Sequence, residues 1–249
     1  MPCRIPDVER LKRPVERSRL ASHNEFEGLH LPQKLTGCTT MIFHLPFGTT
    51  SHPLVSEQRF CAIDLETTGL DPSCDEIIAF ACVPMERARI LVKDAFYTLV
   101  RPAGYSLSAM KFHGISGQDL EKAPSFADIA DTILRLTEGI VLGHSIHFDH
   151  EVLRRHFKRQ GVTLKRETLD VALVERWLAR KCGQAGEDES FDSMLKRYGL
   201  RVCYRHNALA DAFFVAQIFQ VQMARLDREG IRTVDQLQKA VKSCRFAAW

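Results

Sequence analysis

The chain has 249 residues, 45% of them hydrophobic, and a formal net charge of only +3. Such a length and apolar share suit one sizeable domain with an appendage. The near-balance of charge excludes a strong global field, so any affinity for nucleic acid must come from a local patch. No apolar run reaches membrane-spanning length, and the N-terminus lacks the apolar segment of a signal peptide, so the reading is a cytoplasmic protein with no membrane partner.

Residues 1–57 read as an N-terminal extension. Pro2, Pro6, Pro14, Pro32, Pro46 and Pro53 interrupt every periodic pattern. Pro14 interferes with the short helix that Val8, Leu11 and Val15 would otherwise form. The expectation is an arm that packs in part on the main domain. Its basic residues Arg10, Lys12, Arg13, Arg17 and Arg19 are interspersed with Asp7, Glu9 and Glu16, which suits a solvated face better than a transit peptide. Eight cysteines (Cys3, Cys38, Cys61, Cys74, Cys82, Cys182, Cys203 and Cys244) form no CxxC and match no zinc spacing. Several lie in apolar runs, and they read as reduced, mostly buried thiols.

From Gln58 the texture changes. Residues 58–226 read as the principal domain, and 227–249 as a helical tail. Phe60–Leu65 is a short apolar run of the kind a buried strand needs. Ile77–Val83 and Ile90–Val100 read as two further strands, and the short links imply antiparallel neighbours. Ser106–Leu120 is polar. Phe126–Leu136 places apolar residues at helical spacing, Ile140–Gly143 is a short strand, and Phe148–Phe157 is a helix. Thr168–Leu178 reads as a strand or turn running into a helix, and 182–189 as a loop rich in Gly and acids. Phe191–Tyr198 is a short helix, His206–Leu226 a long one, and Val234–Val241 a last amphipathic one. Three antiparallel strands, then helices alternating with single strands, predict an α/β fold: a mixed sheet with helices on its faces.

The chemistry gathers at the end of the first strand. Asp64 and Glu66 stand two residues apart, so a strand points both to the same face. Each raises the pKa of the other, a cost that a divalent cation removes by taking hard oxygen ligands. Thr67-Thr68-Gly69 then breaks the strand, and Asp71-Pro72 closes a turn. The pair alone also fits a strand that ends in a solvated acidic loop. Asp149 falls near the start of a helix, where a carboxylate also complements the dipole. His206 alone fits a surface histidine. Asp211 lies among Ala210, Ala212, Phe213 and Phe214, and an acid in so apolar a run needs a partner.

Three motifs then line up. Asp64-x-Glu66-Thr-Thr-Gly, Gly143-His144-x-x-x-Phe148-Asp149 and His206-x-Ala208-x-x-Asp211-Ala212 resemble the three exonuclease motifs of the DEDDh family in order, spacing and context. His113-Gly-Ile-Ser116 resembles a segment of its DnaQ-like branch, the DNA polymerase III epsilon exonucleases. The resemblance covers about residues 58–225. Ser145 departs from it, standing where family members often carry Asn.

The resemblance implies a ribonuclease H-like fold with five strands, the first three antiparallel. It implies that Asp64, Glu66, Asp149 and Asp211 hold two Mg²⁺ or Mn²⁺ ions, the arrangement of two-metal phosphoryl chemistry. His206 would take the proton from the attacking water, a task that suits the ordinary imidazole pKa of about 6.5. Thr67, Thr68 and Gly69 would meet the terminal sugar, with Leu70, His113 and Phe148 as walls for the last base. Core packing is the competing reading for Leu70 and Phe148, and turn support for His113. The implied activity is 3′–5′ exonuclease cleavage of single-stranded or frayed DNA, with a DNA polymerase as a candidate partner. RNA trimming and a non-catalytic nucleic-acid-binding module remain the alternatives.

Overall fold

The computed structural model describes residues 53–103, 114–184, 188–202 and 205–245; most of the N-terminal extension, His113, Cys3, Cys38 and Cys203 lie outside them. Strand β1 (Arg59–Thr67) is the axis of the sheet. On one side it pairs antiparallel with β2 (Ile77–Glu86), which places Asp64 opposite Ala81 and Glu66 opposite Ala79. On the other side β5 (Ile140–Gly143) runs parallel to β1, and β6 (Glu167–Asp170) runs parallel to β5. The outer edge of β2 carries β3 (Arg89–Ile90) and β4 (Phe96–Leu99), both antiparallel.

Seven helices surround this sheet among the described residues: α1 (Gly117–Glu121), α2 (Phe126–Leu136), α3 (His147–Arg159), α4 (Val171–Lys181), α5 (Phe191–Arg197), α6 (Ala208–Arg228) and α7 (Val234–Arg245). Strand alternation divides the core into two layers. Cys61, Ile63 and Leu65 face α2 and α3, packing with Phe80, Phe126, Ile133, Leu153 and Phe157. Phe60 and Ala62 face the other way, with Ala79, Ala81 and Val83, against Ala212, Val215 and Phe219 of α6. Alanines on that face give α6 room to lie close to the strands. Asp64 and Glu66 continue the Phe60–Ala62 row, so the acids emerge on the face that α6 covers. Helix α7 adds Val234, Leu237 and Val241 to the same core layer, and Val55 joins them. The Val55 N–H donates to Arg232 O at 2.8 Å, and Leu54 bridges to Thr233.

Three expectations are corrected. The third strand, read as Ile90–Val100, is two strands, so the sheet has six and not five. Val92–Asp94 forms a 3₁₀ turn between them, because Leu91-Val92 followed by Lys93-Asp94 breaks the alternation a ladder requires. Helix α6 begins at Ala208 and not at His206, because His206 has φ +58° and cannot join a right-handed helix. Cys61 and Cys82 form a buried disulfide, where reduced thiols were expected, because the β1–β2 register sets them diagonally across the pair with Cα atoms 6.2 Å apart. Of the free thiols described, Cys74 and Cys182 are exposed and Cys244 is buried. No helix among the described residues is long and apolar enough to cross a membrane.

Candidate active site

Three elements bring the four acids together. Strand β1 supplies Asp64 and Glu66. The loop after β5 turns sharply at Ser145 (φ +56°) and enters α3, so Asp149 lies in that helix's first turn. A left-handed residue is tolerated best when it is Asn or Gly, which gives a physical reason for Asn at this place in the motif. Asp149 Oδ1 accepts the Leu65 N–H at 3.1 Å, which ties the start of α3 to β1. Asp211 lies in the first turn of α6, whose N-cap Asn207 accepts the Ala210 N–H. Asp149 and Asp211 are buried at 8% and 5% exposure, while Asp64 and Glu66 are half-buried.

These carboxyls titrate abnormally. Burial pushes Asp64 well above the usual range, and Asp149, Asp211 and Glu66 push it further. Burial and Asp211 raise Glu66 to about 7. Burial raises Asp149 to about 7, against the hydrogen bonds from its own and the Leu65 N–H. Asp211 is raised by burial despite Arg205. Asp170, the N-cap of α4, adds a further negative charge near Asp149. Asp211 Oδ1 is buried with no hydrogen-bond partner. Arg205 offsets only part of the negative charge of these acids, and hard divalent cations suit such an oxygen-rich group.

The turn after β1 is braced from below. A register shift between Glu66 and Thr67 re-aims the strand end. Thr67 Oγ1 donates to Gly69 O at 2.6 Å, and Thr68 Oγ1 to Asp75 Oδ1 at 2.8 Å. A Cβ on Gly69 would stand 2.5 Å from Asp75 Oδ2, so a side chain there would push Asp75 off its bonds to Thr68 and the Asp71 N–H. Glu76 anchors the turn to α3 through His156 (3.0 Å) and Arg159 (2.6 Å). At the tip Leu70 is 90% exposed, so core packing does not account for it. Phe148 is half-buried against the α2–α3 core layer.

His206 lies beside this cleft. Its N–H donates to Asp211 Oδ2 at 3.2 Å, and the residue is exposed. His144 does not join the acids: Nε2 meets Glu189 O at 2.9 Å, and the ring packs 5.0 Å from that of Phe191. Sequence reasoning missed Arg205, Asp75 and Asp170. Arg205 pairs with Asp211 at 2.5 Å. For Asp170 a signal existed, an acid between a strand and an apolar helix, which marks an N-cap. Among the described residues, no three Asp, Glu, His or Cys side chains are closed around one metal position.

A family model described as exonuclease matches residues 61–219, which include all four acids and His206. The chain belongs to the exonuclease family. This exonuclease-family chain is 29% identical over 195 residues to a DNA polymerase III PolC-type protein of Thermotoga maritima, covering 77% of this chain and 14% of the relative. It is 30% identical over 190 residues to the 3′-5′ exonuclease DinG of Bacillus subtilis, covering 74% and 20%. The chain thus spans a small part of the length of these relatives. Among solved structures, E. coli exonuclease I in complex with a dT13 oligonucleotide shares the fold with a TM-score of 0.61 at 21% identity, covering 70% of this chain and 43% of that one.

Proposed function

We propose that the protein is a metal-dependent 3′–5′ exonuclease that releases nucleoside 5′-monophosphates from the 3′ ends of single-stranded or frayed DNA. The observation that carries this reading is that Asp64, Glu66, Asp149 and Asp211, from three elements, lie close enough in partly desolvated surroundings for their charges to act on one another. Their raised pKa values and the orphaned Asp211 Oδ1 fit a site for divalent cations, held by these four residues. Two Mg²⁺ or Mn²⁺ ions there would supply Lewis acidity and a nucleophile at neutral pH. His206, exposed beside Asp211, accepts the proton of the attacking water. Thr67, Thr68 and Gly69 shape a rigid turn that receives the terminal sugar. Leu70 and Phe148 flank the last base; His113, the other candidate for this role, lies outside the described residues.

The names of the PolC-type and DinG relatives and the dT13 bound to exonuclease I favour DNA and a 3′ terminus. The polymerase relative also favours a DNA polymerase as the partner that presents that terminus. The test uses matched DNA and RNA strands labelled at the 5′ end, with Mn²⁺ and then EDTA. A descending ladder on DNA, stopped by EDTA, with closed circles untouched, is the expected result. Faster digestion of RNA would move the substrate to RNA. Binding without cleavage of either strand would leave a non-catalytic nucleic-acid-binding module.

A further inference from the structure

Arg205 has no role in the motifs, yet it pairs directly with one of the four acids. Its Nη1 donates to Asp211 Oδ2 at 2.5 Å, its Nε donates to Asp192 Oδ1 at 2.8 Å, and its guanidinium carbon lies 4.7 Å from the centre of the Phe191 ring. The side chain is 23% exposed. Its charge acts on Asp64 and Glu66 as well as on Asp211. The next residue in the chain, His206, donates its N–H to the same Asp211 Oδ2 at 3.2 Å. One carboxylate oxygen therefore holds both Arg205 and the segment that carries the proposed base.

We propose that Arg205 is a positioning residue: an internal counter-cation that occupies Asp211 until a divalent ion displaces it, the exchange freeing the His206 segment to take its working place. The inference rests on the exonuclease reading only in taking Asp211 as a metal ligand. A divalent ion on Asp211 Oδ1, the oxygen without a hydrogen-bond partner, would stand within one carboxylate of the guanidinium on Oδ2, and two cations so close in a half-desolvated site repel strongly. After leaving Asp211, Arg205 stays parked, because Asp192 and the face of Phe191 still hold it. His206 sits at φ +58°, a conformation its side chain disfavours, and its bond to Asp211 is part of what keeps it there. Breaking the Asp211 contacts removes that restraint.

Calorimetric titration of Mn²⁺ into the metal-free chain, without nucleic acid, tests this. Arg205→Gln is expected to bind Mn²⁺ on the order of ten- to a hundredfold tighter than wild type, the worth of one charge-assisted hydrogen bond. It is also expected to melt earlier in EDTA and to recover with Mn²⁺. Arg205→Lys, which keeps the charge but cannot bridge two acids, should fall between and serves if the Gln variant does not fold. In wild type, Mg²⁺ should move the Arg205 and His206 amide resonances together. Unchanged or weaker Mn²⁺ affinity in both variants, or resonances unmoved at saturating Mg²⁺, would overturn the inference while leaving the exonuclease reading intact. A wild-type chain that binds no Mn²⁺ at all would defeat the metal reading itself.

Discussion

Two regions of this protein place carboxylates inside, and they treat them in opposite ways. Glu175 of α4 is 1% exposed, and Tyr198, Arg197, Arg225 and Gln222 all reach it. Burial alone would raise its pKa, but the hydrogen bonds from Tyr198, Gln222 and Arg225 outweigh burial and hold it below the usual range. In the cleft, Asp64, Glu66, Asp149 and Asp211 are raised, and Arg205 is the cation that meets them. A buried acid whose partners are complete ties α4, α5 and α6 together. A group of acids whose partners are incomplete is a demand for something the chain does not supply.

The largest effect should break the cleft. Asp64→Asn is expected to cut the rate by roughly 10³-fold or more, since a metal site supplies several kcal/mol of transition-state stabilisation. Mn²⁺ affinity should fall with it, while the melting temperature in EDTA holds or rises because repulsion is relieved. His206→Ala should lose about 10²–10⁴-fold in turnover yet keep its Mn²⁺ affinity. Calorimetry beside initial rates separates the two. Wild-type turnover in His206→Ala would move the base elsewhere, with His147 next to test.

The Glu175 cluster should fail the other way. Glu175→Ala strands Arg225 and Arg197 and is expected to cost about 3–5 kcal/mol, a melting shift of roughly 10 °C for a chain of this size. Activity per folded molecule should stay near wild type. A fall in rate without a fall in melting temperature would contradict the contrast.

The pH sharpens it. Raised carboxyls contribute stability that is full below their unfolded pKa and is lost as pH rises through the folded value, about 7 for Asp149. In EDTA, Asp149→Asn should therefore melt with wild type near pH 4 and above it by pH 8. Glu175 has the opposite sign: its contribution is present above the ordinary glutamate range and fades as pH falls through its depressed pKa. The penalty of Glu175→Gln should shrink toward pH 3. Parallel melting curves for both variants would erase the distinction.

The smallest effect concerns the edge of the domain. A chain beginning at Ser56 loses buried Val55 and its hydrogen bond to Arg232 O. Relative to one beginning at Thr49, it should lose about 1–2 kcal/mol by denaturant unfolding and keep its activity. Loss of activity would show that the segment before residue 58 shapes the cleft and does not merely cover the core.

By itself the sequence determined what short-range physics fixes. Phe126–Leu136 and Ile140–Gly143 follow from apolar periodicity. The shared face of Asp64 and Glu66 follows from the two-residue period of a strand, and the spacing inside each motif from one element at a time. Tertiary structure decided what depends on partners far apart in the chain. The Cys61–Cys82 pairing needs the β1–β2 register. His206 leaves its helix because its backbone answers Asp211. Arg205 was illegible for the same reason: a lone arginine in a polar loop has no pattern. Only the fold brings Asp192, Phe191 and Asp211 around it, and only then does its charge have an address.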